Sequence, residues 1–207
     1  MPRRSTKCCK DVVPENAARV FDTPAPILKH KQFTTVLECE TPVSVIEYGP
    51  GALRNANYLI DCGLVVTVVD LKQTIERFED RYTTFQNKGG RVWSFESMRK
   101  RACPKHPSMD LAVCTFVLGA ICDPAIRDLL LRDCRARLRL GKPFFLSTRG
   151  ASDVLTINRG AQPCSDGYIT PNRTFVRPFT ISEISALLHK SGFDDITPLH
   201  RPGFNCP

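Results

Sequence analysis

The sequence predicts an α/β fold with a doubly wound, mostly parallel sheet, and three observations predict it. Residues Val43–Asp70 read as strand, glycine turn, helix, strand and terminal acid. A helical stretch, Lys72–Gln86, then leads to a third short strand, and Asp110–Ser147 gives strand, helix and strand again. Strands that alternate with helices of this length build parallel βαβ units.

The first unit opens with the apolar run Val43–Ile46 behind Pro42, a buried strand. Glu47-Tyr48-Gly49-Pro50-Gly51 breaks the run. Two glycines around a proline permit a tight turn and a close approach of ligand to backbone. Leu53–Cys62 carries Leu53, Ala56, Leu59 and Ile60 at helical spacing, and Gly63 is placed to end that helix in the left-handed region. Leu64–Val69 is the second strand, and it stops on Asp70. The plan is that of a nucleotide-binding βαβ unit, whose ribose-binding acid lies about twenty residues past the glycines. A dinucleotide fingerprint would place a third glycine where Arg54 stands, and Glu47 at the end of the first strand is also unlike it. Glu47 is suited to accept hydrogen bonds from a cationic tail.

Ile75, Phe78, Tyr82 and Phe85 mark the next helix, which Gly89-Gly90 ends. Arg91–Phe95 is a short strand leading to Glu96-Ser97-Met98, followed by a polar loop to Ser108. Asp110–Thr115 is nearly all apolar, as a strand covered on both faces should be. Asp123-Pro124 opens a helix to about Leu138, with proline in its first turn, and Pro143–Ser147 is the fifth strand. Arg149–Arg177 shows little periodicity and reads as a long functional loop leaving the sheet where such folds bind ligands. Thr180-Ile-Ser-Glu183 is a capping box for a helix through Lys190.

At 207 residues, with 42% hydrophobic and 24% charged residues, the chain suffices for one domain with a full core. We divide it into a basic arm and helical lid, 1–41, and a main domain, 42–207, with an insert at 149–179. No apolar run reaches membrane-spanning length, and the basic N-terminus has no signal-like apolar core. Ten cysteines include no CxxC pair, and Cys103-Pro-Lys-His106 has no matching partner motif, so they read as free thiols of a reducing cytoplasm with no metal site. The net charge of +8 concentrates at Arg3–Lys10, Arg99–Lys105 and Arg132–Arg139, the last read as the solvated face of an amphipathic helix.

Glu47-x-Gly49-x-Gly51, followed by a strand ending on Asp70, resembles motif I and its sequel in class I S-adenosylmethionine-dependent methyltransferases. DLAVCTFVLGAICDPAIRDLLLRDCRARLRLGKPFFLS resembles strands four and five of that family, and FTISEISALLHKSGFDDITPL its late helix and following strand. The run up to Phe179 is similar to an insert in methyltransferases that accompany DNA phosphorothioation and in small stand-alone relatives. The resemblance implies a Rossmann-like sheet whose final antiparallel strand is short or missing, since only His200–Pro207 remain. It implies S-adenosyl-L-methionine as cofactor, held by Glu47, Tyr48, Gly49 and Gly51, with its ribose at Asp70. Adenine would lie between Leu71 and Glu96–Ser97, and Thr115 and Phe116 would flank the methionine tail. Asp166 or Tyr168 would touch the acceptor, although packing and turn roles suit both.

The acceptor is not readable. Amino-methylating DNA enzymes carry Asn/Asp-Pro-Pro-aromatic after strand four, where this chain has Thr115-Phe-Val-Leu. Pro163-Cys164 has a cytosine-enzyme dipeptide in the wrong place, and Lys31, Asp110, Lys142 and Glu183 make an RNA ribose tetrad only with Asp110 at the wrong end of its strand. A small-molecule acceptor is the default and a nucleic acid comes second, with no catalytic base identified. The alternative is an inactive methyltransferase-like module that binds nucleic acid or a protein; a nicotinamide-dependent oxidoreductase fits less well because of Arg54.

Overall fold

A computed structural model describes residues 12, 23–100, 108–150 and 160–199. The predicted basic arm, the first part of the lid, Cys8, Cys9, Cys103, His106, Cys206 and the segment 200–207 lie outside the described residues. The described residues fall into two units, one drawn from 23–115 and 136–146 and the other from 116–135 and 147–199.

In the first unit a 3-10 turn, Pro26–Lys29, precedes α1 (Lys31–Cys39). The buried Phe33 of α1 meets Phe145 edge-on with centroids 4.9 Å apart. Next come β1 (Ser44–Tyr48), α2 (Arg54–Asp61), β2 (Val65–Asp70), α3 (Lys72–Arg77), α4 (Glu79–Asn87), β3 (Arg91–Ser94) and α5 (Phe95–Lys100). Beyond them lie β4 (Leu111–Thr115) and β5 (Phe144–Ser147); α6 (Pro124–Arg137) falls between them in the chain, with residues 124–135 in the second unit. The five strands form one sheet in the order β3-β2-β1-β4-β5. β1 runs parallel to β2 and β4, and β2 parallel to β3. This is the expected α/β, Rossmann-like, doubly wound sheet, with every residue of β4 buried.

Register decides where the acids stand. Glu47 pairs with Val68 on one side and Val113 on the other, while Asp70 pairs with Ser94. Both are therefore at the carboxyl end of a parallel sheet, where such folds bind ligands. Asp110 lies at the opposite end, just before β4. Its Oδ2 accepts from the amides of Val43 (3.1 Å) and Ser44 (3.0 Å) and lies 2.9 Å from the Ser44 hydroxyl, and Arg139 pairs with Oδ1. Burial pushes this carboxyl up, but the Ser44 and Val43 donors and Arg139 outweigh it and hold it below the usual range.

Several expectations need correction. The single helix Lys72–Gln86 is two helices that break at Phe78 (φ −117°, ψ 32°), a break that no glycine or proline marks. β3 stops at Ser94, and Glu96, Ser97 and Met98 stand on α5 instead of in a loop. No strand follows the last helix in residues 193–199. The long loop at 149–179 holds a meander in the second unit: β6 (Gln162–Cys164), β7 (Gly167–Ile169) and β8 (Phe175–Val176), paired antiparallel in that order. Its strands are two or three residues long, too short to show a period. Gly167 is needed there because a Cβ would stand 2.5 Å from the Phe175 ring and 2.7 Å from the Val176 carbonyl oxygen. α7 (Ile181–Lys190) starts on the predicted capping box, Thr180 amide to Glu183 at 2.8 Å and Glu183 amide to Thr180 hydroxyl at 3.2 Å.

The free-thiol reading holds for Cys39, Cys62, Cys114 and Cys134, and it fails for Cys122 and Cys164, which are disulfide-bonded. Spacing in the sequence carried no sign of this. Among the described residues no helix is long and apolar enough to cross a membrane.

Asp110→Ala strands two strand-edge amides and Arg139. Loss of a buried acceptor for such groups costs about 1–3 kcal/mol. Urea unfolding should show a drop of that size, and a midpoint unchanged from wild type would sink the clamp role.

Candidate functional site

The chain leaves β1 through a turn in which Gly49 (φ 63°), Gly51 (φ 56°) and Leu53 (φ 66°) all take left-handed backbone conformations. Glycine does this freely, but for leucine it costs about 1–2 kcal/mol. Leu53 is fully buried, and that packing offsets the strain. It caps α2, whose buried residues Asn55, Ala56 and Leu59 share the face turned to the core.

Glu47 has no exposed surface. Its Oε1 accepts from Asn55 Nδ2 at 2.8 Å, while Oε2 is buried with no hydrogen-bond partner. Burial pushes the carboxyl up to about 8, with the Asn55 hydrogen bond opposing and the Asp70 charge reinforcing the shift. An unpartnered acid oxygen in such a place is costly unless a cation or donor fills it. A cofactor with an ammonium tail fits that requirement.

Asn55, which sequence reasoning missed, is 2% exposed and ties three segments together. Its Oδ1 accepts from the Ala25 amide (2.8 Å), and its Nδ2 lies 3.0 Å from Thr115 Oγ1 as well as against Glu47. Because the Ala25 N–H can only donate, Oδ1 must face it, so the amide orientation is fixed by chemistry.

Asp70 is 8% exposed at the tip of β2. Oδ2 accepts from the Gly51 amide (2.9 Å) and lies 3.0 Å from the Tyr82 hydroxyl, while Oδ1 accepts from the Leu71 amide (2.7 Å). Burial raises this acid to about 6 against the lowering effect of those donors and of Thr74. Tyr82 also reaches the Gly51 carbonyl at 3.1 Å, so it laces α4 to the glycine turn. Its phenol is raised far above the ordinary value by burial and by the Asp70 charge. Sequence periodicity assigned Tyr82 to a helix face and gave no hint of this contact. Asp70 is thus already supplied with protein donors, so it orders the turn in addition to any role toward a ribose.

The remaining candidates divide. Tyr48 is buried at the end of β1, between Val69 of β2 and Cys114 of β4. Leu71 is half-buried beside Asp70. Glu96 and Ser97 are exposed on the first turn of α5, where Glu96 Oε2 accepts from the Lys72 amide at 3.3 Å and Ser97 bonds Ser94 at 2.8 Å. Thr115 is buried against Asn55. In the second unit, Phe116 takes a left-handed conformation (φ 62°), is 38% exposed, and donates its amide to the Ser147 carbonyl at 2.8 Å.

Asp166, also in the second unit, sits at the β6–β7 turn and joins the buried Arg127 and Arg177, the latter at 3.2 Å. Arg177 extends the network to Glu183 at 3.0 Å and stacks on Phe179, 4.3 Å from its centroid. Tyr168 lies in β7 opposite Pro163 and Val176. The arginines of the 132–139 run have protein partners, Arg132 the Asp128 carbonyl, Arg135 the Gly192 carbonyl, Arg137 the Trp93 ring and Arg139 Asp110; Arg132 and Arg139 stay exposed, as the solvated-face reading expects, while Arg137 is buried. Among the described residues no group of three His, Cys, Asp or Glu could hold a metal.

No protein-family model matches the sequence, and no curated protein matches it. Solved structures do match the fold. An apo S-adenosylmethionine-dependent methyltransferase, SibL, superposes with a TM-score of 0.60 at 18% identity, over 86% of this chain and 51% of its own. A protein of Pyrococcus horikoshii OT3 gives 0.63 at 13% identity, covering 84% and 87%. The Burkholderia thailandensis 1,6-didemethyltoxoflavin-N1-methyltransferase, bound to its substrate and S-adenosylhomocysteine, gives 0.56 at 22% identity, covering 81% and 68%. The chain spans about half the length of SibL and of a putative O-methyltransferase from Nostoc punctiforme, 51% and 48% respectively. The fold is that of the S-adenosylmethionine-dependent methyltransferases.

Glu47 sets a pH-dependent penalty on stability. Its folded-state value of about 8 lies above the ordinary 4.5, so the folded protein binds more protons than the unfolded one between those limits. Stability therefore falls as pH rises from about 4.5 to about 8, and Asp70 adds to the fall below about 6. Thermal melts of Glu47→Gln should match wild type near pH 5 and exceed it at pH 8. An equal gap at both pH values would contradict the assignment.

Proposed function

We propose that this chain binds S-adenosyl-L-methionine and transfers its methyl group to a small-molecule acceptor. The observation that carries the reading is Glu47, fully buried beside a glycine turn with Oε2 unpartnered. That oxygen suits the ammonium of the methionine tail. Asp70 holds the turn through the Gly51 amide and offers its remaining acceptor capacity to a ribose hydroxyl. Leu71 and α5, with Glu96 and Ser97, flank the adenine side in this reading, and Thr115 and Phe116 flank the tail or methyl.

When bound, the cofactor supplies an electrophilic methyl on a sulfonium centre. The chain's own contribution is to hold that centre in line with an acceptor and exclude water. Positioning of this kind supplies much of the acceleration in such displacements, so no dedicated base is required. A small acceptor is favoured over nucleic acid because Arg135, Arg137 and Arg139 of the basic run already have protein partners, the Gly192 carbonyl, the Trp93 ring and Asp110. One solved relative in fold is an N-methyltransferase holding a small heterocycle. An inactive binding module is the second reading, and the intact Glu47 and Asp70 speak against it. The cytoplasmic expectation rested on free thiols, and the disulfide-bonded Cys122 and Cys164 remove that support.

Calorimetric titration with S-adenosylmethionine should give micromolar binding that Asp70→Asn weakens, with NAD silent as control. Because Glu47 is mostly protonated at pH 7 and an ammonium replaces that proton, binding should release close to one proton. The heat should then differ between phosphate and Tris by the buffers' ionisation enthalpy, and Glu47→Gln should remove the difference. A wild type that binds neither nucleotide would move the assignment to a non-catalytic module.

A further inference from the structure

The Asn55 amide ties three segments of the first unit together, and the cofactor reading does not use it. We propose that Asn55 is a positioning residue for the cofactor's cationic tail, fixing Glu47 so that Oε2 alone is presented to the ammonium, and that it links this contact to the segment entering α1. The proposal rests on the S-adenosylmethionine reading and deepens it.

Three observations support it. Asn55 Nδ2 donates to Glu47 Oε1 at 2.8 Å, so one of the two carboxyl oxygens is taken, and the other, Oε2, is the buried atom with no partner. The second amide hydrogen points at Thr115 Oγ1, 3.0 Å away at the end of β4, which leaves the threonine's own proton free to donate elsewhere. Asn55 Oδ1 accepts from the Ala25 amide at 2.8 Å, thirty positions earlier in the chain. All three partners are buried, so none of these groups can exchange its partner for bulk water.

The consequence is directional. When an ammonium replaces the proton on Glu47, Oε1 gains negative charge, and the Asn55 donor becomes charge-assisted and stronger. A stiffer Asn55 holds the Ala25 amide more firmly. Occupancy of the tail site is thereby felt by the Thr23–Lys29 segment, which contacts neither the ribose acid nor the glycine turn through any hydrogen bond described above. Asn55 touches no reacting atom, so its part is to orient Glu47.

The test compares two ligands that share the nucleoside and differ in the tail: S-adenosylmethionine, and 5′-methylthioadenosine, which lacks the amino-acid part. Calorimetry on the full chain should show Asn55→Leu losing about tenfold to a hundredfold for S-adenosylmethionine, the size expected for a hydrogen bond that serves a charged group. For methylthioadenosine the loss should stay below about twofold. Hydrogen exchange of a peptide covering Ala25 should slow on adding S-adenosylmethionine to wild type, and not in the variant. Should Asn55→Leu fail to fold, Asn55→Ala removes the amide donor without adding bulk or charge. It should show the same tail-specific loss. Equal losses for both ligands, or no loss for either, would overturn the positioning role while leaving the cofactor site standing. A wild type that binds neither ligand overturns the cofactor reading itself, and this inference with it.

Discussion

The burial of an acid at the end of β1 is the constraint on which the rest of the site depends. Glu47 sits in the sheet's interior with Asp70 close enough for its charge to be felt. Two carboxylates cannot both be ionised cheaply in so dry a place, so the protein keeps Glu47 protonated and surrounds Asp70 with donors. The turn that follows is shaped by the same demand. Gly51 must turn its amide onto Asp70, and this needs the left-handed backbone that Gly49, Gly51 and, at a cost, Leu53 adopt. Leu53 holds the position two residues past Gly51 where a further glycine would relieve that strain. The core has taken its side chain instead.

The architecture was legible because it rests on local signals that agree with one another. Apolar runs of strand length, glycines beyond helix ends and the Thr180–Glu183 box all point the same way, and the structure follows them nearly residue by residue. Glu47 and Asp70 were legible as well, since the end of a strand is a place that a sequence can mark. Asn55 and Tyr82 were not. Their importance comes from contacts 30 and 12 positions away along the chain, to Ala25 and Asp70, and their spacing on α2 and α4 is that of ordinary core residues. The meander at 162–176 and the break at Phe78 escaped for a related reason: each is settled by packing over distances that exceed any local period.

The disulfide-bonded cysteines show the limit of composition as evidence. Ten cysteines without a CxxC pair suggested reduced thiols. Yet Cys122 and Cys164 are bonded, and both belong to the second unit, where the insert lies. Cys114 and Cys134, buried in the strand and helix, remain thiols. A disulfide forms only where the fold brings two cysteines into bonding geometry, and a count of cysteines carries none of that information.

The three strand-end acids of the first unit carry the same lesson into chemistry. Asp110 precedes β4 at the amino end of the sheet, and its pKa is lowered because backbone amides, a hydroxyl and Arg139 all serve its charged form. Glu47 and Asp70 stand at the carboxyl ends of β1 and β2, and theirs are raised because burial exceeds what the protein's own donors return. A structural acid is satisfied by the fold that surrounds it. An acid left short of partners in a buried place makes the folded state less stable at neutral pH, and a ligand that supplies the missing cation recovers that loss as binding free energy. The deficit at Glu47 is therefore the physical reason to look for a cationic ligand there, and the satisfied state of Asp110 is the reason to look for none at the other end of the sheet.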